Sequence, residues 1–226
     1  MTAPLECRAM HPRTLLRTAA LVIGLGTAAG GPAAAHPHVF IDGGLDFVFD
    51  DDGRLASLRI TWIYDPLASL FMLEDLGLAA TGPLTAADRA QLAAYQTEWM
   101  PGFAGDSYLR HKGEAVRLSG PVAPEAEVRD GRVVIRFRRD LAAPVHPGHE
   151  TVAEVYDPTY FTAYRITEAP ALEGAPAHCT AEVEPFEPKQ GLAALQERLL
   201  AIPASGTPED PDVGALFAEK VHLSCA

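Results

Sequence analysis

From Val39 to Phe49 the chain alternates with period two, a pattern that is satisfied by a strand buried on one side and wet on the other. Val39, Ile41, Leu45, Phe47 and Phe49 fall on one face, and His38, Asp42, Asp46 and Asp50 on the other. Asp51-Asp52-Gly53 is a turn signal, after which Leu58, Ile60, Trp62 and Tyr64 resume the alternation. Two such runs with a short polar connection read as a β-hairpin. The rest of the fold must cover the apolar face of that hairpin.

Asp65-Pro66 changes the local structure. Asp is a helix N-cap and Pro fits the first helical position, so a short helix is expected up to Leu76, stopping at Gly77. Thr85 and Asp88 have the spacing of a capping box, and Leu92, Tyr95 and Trp99 form an apolar stripe that Pro101-Gly102 ends. Residues 66–105 therefore read as a helical insert. Strand patterns return at Tyr108–Leu118, Glu125–Val128, Val133–Arg139, Thr151–Tyr156 and Thr159–Ile166. Val133, Ile135 and Phe137 face inward, while Arg132, Arg136 and Arg138 point the other way, as a solvated sheet face does. Leu192, Leu195, Leu199 and Ile202 mark a C-terminal helix, and a last strand ends at Cys225. The expected class is α+β: mainly antiparallel β-sheet with a helical insert and a C-terminal helix.

Ahead of the hairpin lies the pattern of an export signal. His11 to Arg17 supply a basic segment, Ala19 to Gly30 an apolar one, and Ala33-Ala34-Ala35 an A-x-A site. Cleavage after Ala35 removes residues 1–35 and leaves 36–226 as a single exported domain, periplasmic in location. The apolar stretch is shorter than the ~20 residues of a spanning helix, so no membrane span is expected after cleavage. Loss of three arginines and one glutamate takes the formal net charge from −12 to −14. Such a surface repels nucleic-acid phosphates and attracts cations, so nucleic acid is not an expected partner. Cys179 and Cys225 are the two cysteines of the exported part, and in an oxidising compartment they favour a disulfide. Closing that loop contributes about 4 kcal/mol in the chain-entropy model.

Cleavage would expose His36 as the N-terminal residue, in the run His36-Pro37-His38. An α-amine beside an imidazole chelates metal. Pro37 has no N–H, so wrapping by deprotonated backbone amides is closed, and His38 shares a face with His36 in an extended chain. Nitrogen donors suit nickel, cobalt, zinc or copper, and not calcium or magnesium. His146-Pro147-Gly148-His149 is a second, reserve pair in a turn. Asp42 shares the His38 face at four strand steps, about 13 Å, too far to bind the same ion directly. No G-x-S-x-G, H-E-x-x-H, P-loop or G-x-G-x-x-G motif occurs, so a non-enzyme is expected. Tyr64-Asp65-Pro66 and Tyr156-Asp157-Pro158 echo one another, the first as a helix cap and the second as a turn.

The run His36-Pro37-His38-Val39-Phe40-Ile41-Asp42, with Phe47-Val48-Phe49-Asp50, Thr61-Trp62, Val155-Tyr156-Asp157-Pro158-Thr159-Tyr160-Phe161 and the closing cysteine, resembles the domain of unknown function family 1007 (DUF1007). That family is described as periplasmic components of an ABC-type transport system. The resemblance implies an exported protein associated with nickel/cobalt-type transporters, hence a membrane permease as partner. Together these readings give an accessory or binding protein for a divalent transition metal, held through His36 and His38. Two alternatives stay open: a metal-free interaction module of a transporter, and a copper enzyme built on an N-terminal histidine.

Overall fold

The computed structural model describes residues 37–188, 191–202, 206 and 208–226. The export signal, its cleavage site and His36 lie outside the described residues. In chain order the elements begin with β1 (Val39–Phe49), β2 (Leu55–Tyr64), α1 (Pro66–Asp75) and α2 (Ala86–Thr97). Strands β3 (Ser107–His111), β4 (Glu114–Val116), β5 (Val122–Arg129), β6 (Arg132–Val145), β7 (Thr151–Val155) and β8 (Thr162–Ile166) follow. The chain ends with β9 (Leu172–Glu173), β10 (Cys179–Glu184), α3 (Leu192–Leu200), a 3-10 turn at Val213–Phe217 and β11 (Glu219–Cys225). The class is α+β, with the strands in two sheets.

The first sheet runs β5-β6-β2-β1-β8, with β9 also against β1, and the second runs β10-β11-β7-β3-β4. The β1–β2 hairpin is antiparallel, Ile41 opposite Tyr64 and Phe47 opposite Leu58. Alternation does what period two requires: Ile41, Leu45, Phe47 and Phe49 are buried, as are Leu58, Ile60, Trp62 and Tyr64 on β2. One core joins these to Ile135 and Phe137 of β6, to Leu109, Ala153, Val221 and Leu223 of the second sheet, and to Met72, Leu73, Leu92 and Ala93 of the helices. Each fully buried large side chain, Phe47 or Leu58 for example, contributes about 1.5–3 kcal/mol. On the opposite face the arginine row is paired: Arg132 with Asp42 at 2.8 Å, Arg136 with Glu127 at 2.9 Å, and Arg138 with Asp140 at 2.7 Å. Asp42 is thus engaged by an arginine rather than turned toward the histidines.

The helical insert docks by polar stitches as well as apolar contact. Asp65 caps α1 by accepting from the N–H groups of Leu67 and Ala68, and its other oxygen accepts from Phe40 N–H at 2.9 Å, which ties the cap to β1. Ser69, fully buried on α1, accepts from Val133 N–H at 2.9 Å and donates to Tyr64 C=O at 3.4 Å. Thr85 and Asp88 form the capping box of α2.

Four details depart from the sequence expectations. Tyr108–Leu118 is not one strand but the hairpin β3–β4, turned at Lys112 (φ 53°) and Gly113 (φ 79°), the left-handed pair that a two-residue hairpin turn uses. Strand β8 starts at Thr162 and not Thr159, because Asp157 accepts from Thr159 N–H and Thr162 N–H and holds the residues between in a turn. Helix α2 ends at Thr97, so Trp99 lies in the loop beyond it. Finally, β8 and β9 pair with β1 in parallel, Val39 opposite Thr162 and Phe47 opposite Leu172.

Cys179 and Cys225 face each other across β10 and β11 and are joined by a disulfide. Helix α3 packs through Leu199 on Tyr160, Val213 and Phe217, a smaller cluster beside the main core. Among the described residues no helix is long and apolar enough to cross a membrane.

Candidate functional site

At the end of the first sheet where β1 begins and β2 ends, the insert leaves a cavity of about 590 Å³. Its floor is the inward face of the hairpin, Val39 and Ile41 with Trp62 and Tyr64. Helix α1 supplies Ala68, Phe71 and Met72, and α2 supplies Tyr95 and Gln96. The loop after α2 adds Trp99, Phe103 and Asp106, and the entry to β8 adds Phe161, Thr162 and Tyr164. The rim residues Phe71, Phe103 and Phe161 are exposed, Phe71 by 61%. Three adjacent exposed aromatics around one opening are unusual on a surface otherwise rich in charge.

The aromatic walls are built against one another. Trp62 meets Phe137 edge-on at 4.7 Å between centroids and Tyr164 at 6.2 Å. Trp99 lies 6.2 Å from Trp62 and takes Phe103 edge-on at 5.3 Å. Gly105 (φ 73°) packs its α-carbon flat on the Trp99 ring: a Cβ there would lie 2.2 Å from the indole. Behind Trp99 stands Arg139, its guanidinium 5.1 Å from the ring centroid. Arg139 is buried because it continues the inward register of Val133, Ile135 and Phe137. Its nitrogens donate to the carbonyls of Ser119 (2.9 Å), Ala104 (2.6 Å) and Ser107 (2.8 Å). It thereby fixes both ends of the loop that carries Asp106. Burial lowers its pKa to about 10, which leaves it protonated at neutral pH.

Asp106 is the one acidic side chain of the cavity, and it is 6% exposed. Tyr164 donates to its Oδ2 at 2.8 Å, and among the described residues no basic side chain forms an ion pair with it. Burial pushes its pKa up to about 7, against the Tyr164 hydrogen bond, which lowers it; nearby Asp157 raises it further and Arg139 lowers it. On the opposite wall the Tyr64 hydroxyl donates to Gln96 Oε1 at 2.6 Å, and Gln96 Nε2 donates to Met72 Sδ at 2.8 Å. Those groups are satisfied. Trp62 Nε1 and Asp106 Oδ1 are not: both are buried and have no hydrogen-bond partner among the described residues. Two residues that line the cavity, Trp62 and Asp106, thus each hold a buried polar atom that the described residues leave unused. In the sequence Trp62 reads as an inward-facing strand residue, and Asp106 carries no signal of its own.

The histidines fall in separate places. His38 lies just before β1, where its N–H donates to Phe161 C=O at 2.8 Å and its ring stacks on Phe161 at 4.6 Å. His146 and His149 lie between β6 and β7, both exposed, with His149 Nδ1 2.5 Å from Ser224 Oγ. Leu55 pairs with both Phe49 and Val145, so this second pair sits at the far end of β1. Ten strand steps separate it from His38, roughly 33 Å, and the two pairs cannot share an ion. His111 contacts Thr151 Oγ1 at 3.0 Å, and His222 pairs with Glu184 at 2.7 Å. Among the described residues no group of three or more His, Cys, Asp or Glu side chains is placed to hold a metal.

A search of curated proteins found no match. Among solved structures, the Biomphalaria glabrata acetylcholine-binding protein type 1 is similar at 9% identity over 96% of this chain and 100% of that one, with a TM-score of 0.29. Nothing about this chain follows from a likeness that weak. The family described as "Protein of unknown function (DUF1007)" matches residues 21–225, which span both sheets, the helical insert and the closing cysteine. The chain belongs to the DUF1007 family.

Proposed function

We propose that this protein is a periplasmic binding component serving a membrane permease, and that it takes a small organic ligand into the aromatic cavity. One observation carries this reading: Trp62 and Asp106 line the cavity, and each holds a buried polar atom without a hydrogen-bond partner among the described residues. Leaving such groups unpaired costs about 1–3 kcal/mol each, and a ligand with matching groups recovers that free energy. The volume of about 590 Å³ suits a ligand of ordinary metabolite size. Location outside the cytoplasm rests on the export-signal pattern and fits a disulfide between Cys179 and Cys225.

The chain has two tryptophans, Trp62 and Trp99, and both line the cavity. Nile red, an uncharged polarity-sensitive dye small enough to enter, tests the site directly. A blue-shifted, saturable emission at one site per chain, with energy transfer from tryptophan, is expected. Ala68→Trp fills the cavity from α1 and abolishes it. Binding of the dye unchanged in Ala68→Trp refutes the site.

A second reading is favoured by the placing of His38. A transition-metal accessory role would use His36 and His38, the latter anchored on Phe161 at the rim. Nickel, cobalt, zinc and copper are titrated into protein whose N-terminal residue has been determined. This reading expects His36→Ala to abolish tight binding, and unchanged binding rejects it.

A further inference from the structure

We infer that the ligand of the cavity is an organic cation, an alkyl- or arylammonium compound whose charge sits against Asp106 while its apolar body lies among the aromatic rings. The inference rests on the cavity being a ligand site and adds the chemical class. Asp106 is 94% buried by its 6% exposure, accepts one hydrogen bond from Tyr164 and keeps Oδ1 unpaired. A buried carboxyl in that condition lacks a counter-ion, and a bound ammonium supplies one.

The walls select in the same direction. Trp62, Trp99, Tyr64 and Tyr164 line the cavity with aromatic rings, whose quadrupole attracts cations. Arg139 shows the effect within the protein, since it already lies over the Trp99 ring. Its guanidinium is spent on the backbone carbonyls of Ala104, Ser107 and Ser119, so it does not neutralise Asp106 by direct pairing. Asp157 adds to the negative field there. An anionic ligand would meet that field, and a neutral one would leave Asp106 to take up a proton in place of a counter-ion. A bare metal ion fits poorly, because aromatic carbon surrounds a single carboxyl.

The test uses tryptophan emission of the mature protein. Choline and benzyltrimethylammonium are titrated beside 3,3-dimethyl-1-butanol, the uncharged carbon analogue of choline. Both cations are expected to change the emission saturably, and the neutral analogue to bind at least tenfold more weakly. Asp106→Asn should weaken both cations at least tenfold, with a far-ultraviolet circular dichroism spectrum and a cooperative melt that show the variant folded. Equal affinity for choline and its neutral analogue overturns the inference. So does cation binding that survives Asp106→Asn, or a wild-type protein that takes Nile red but neither cation. In those cases the cavity remains a ligand site of another class, whereas failure of the dye experiment removes the site itself.

Discussion

Replacing Asp106 by Asn should make the protein more stable at alkaline pH and remove much of its pH dependence. The carboxyl titrates near 3.9 in an unfolded chain and at about 7 in the folded one, chiefly because burial disfavours its charge. Between those values the folded state binds a proton that the unfolded state has released, so stability falls as pH rises. From pH 5 to pH 8 the loss from this one group is roughly 2.6 kcal/mol, and across the full window about 4 kcal/mol. Asn is nearly isosteric, stays neutral and can still accept from Tyr164. Urea denaturation of wild type and variant at pH 5, 6, 7 and 8 measures the effect. Contributions that the substitution leaves untouched cancel in the difference. The wild-type curve should fall below the variant's by a gap that opens with pH and levels off above pH 8. Two parallel curves would refute the reasoning, since Asp106 would then be solvated or paired in a way the geometry does not show.

Other sites give further expectations. Gly105→Ala places a Cβ in the Trp99 ring and an L side chain at φ 73°, so it should shift tryptophan emission and lower stability by about 2–3 kcal/mol, read by thermal melts. Ser69→Ala strands the Val133 N–H between α1 and β6 and should cost about 1–3 kcal/mol in urea, whereas Ser69→Thr restores the acceptor while crowding the site. Changing Cys179 and Cys225 together to Ser should lower unfolding free energy by about 4 kcal/mol from the loop they close, measured under oxidising conditions.

The hairpin β1–β2 could be read directly from residues because its alternation is uninterrupted and its turn carries Asp51-Asp52-Gly53. The caps of α1 and α2 were legible for the same reason: Asp65 and Thr85 act on backbone groups two or three residues away. Lys112-Gly113 carries no comparable turn signal, since lysine is not a residue that advertises a left-handed conformation. Arg139 was within reach, because it occupies the next inward position after Val133, Ile135 and Phe137. Asp106 was not. What buries it is Tyr164, 58 positions away, together with a loop held by Arg139, and no local pattern encodes those meetings. The cavity is therefore a tertiary product, while the strands and helices around it are local ones.

The parallel seam between β1 and β8 has a kinetic consequence. Val39 finds Thr162 only after more than a hundred intervening residues have been laid down, so the first strand stays half-zipped while most of the sheet assembles. Pairings of such long reach are slow to form, because the entropy of closing the loop is lost before any contact rewards it. Val39, Phe161 and Thr162 meet at that seam, and the opening that Phe161 borders is consequently among the last parts of the molecule to take shape.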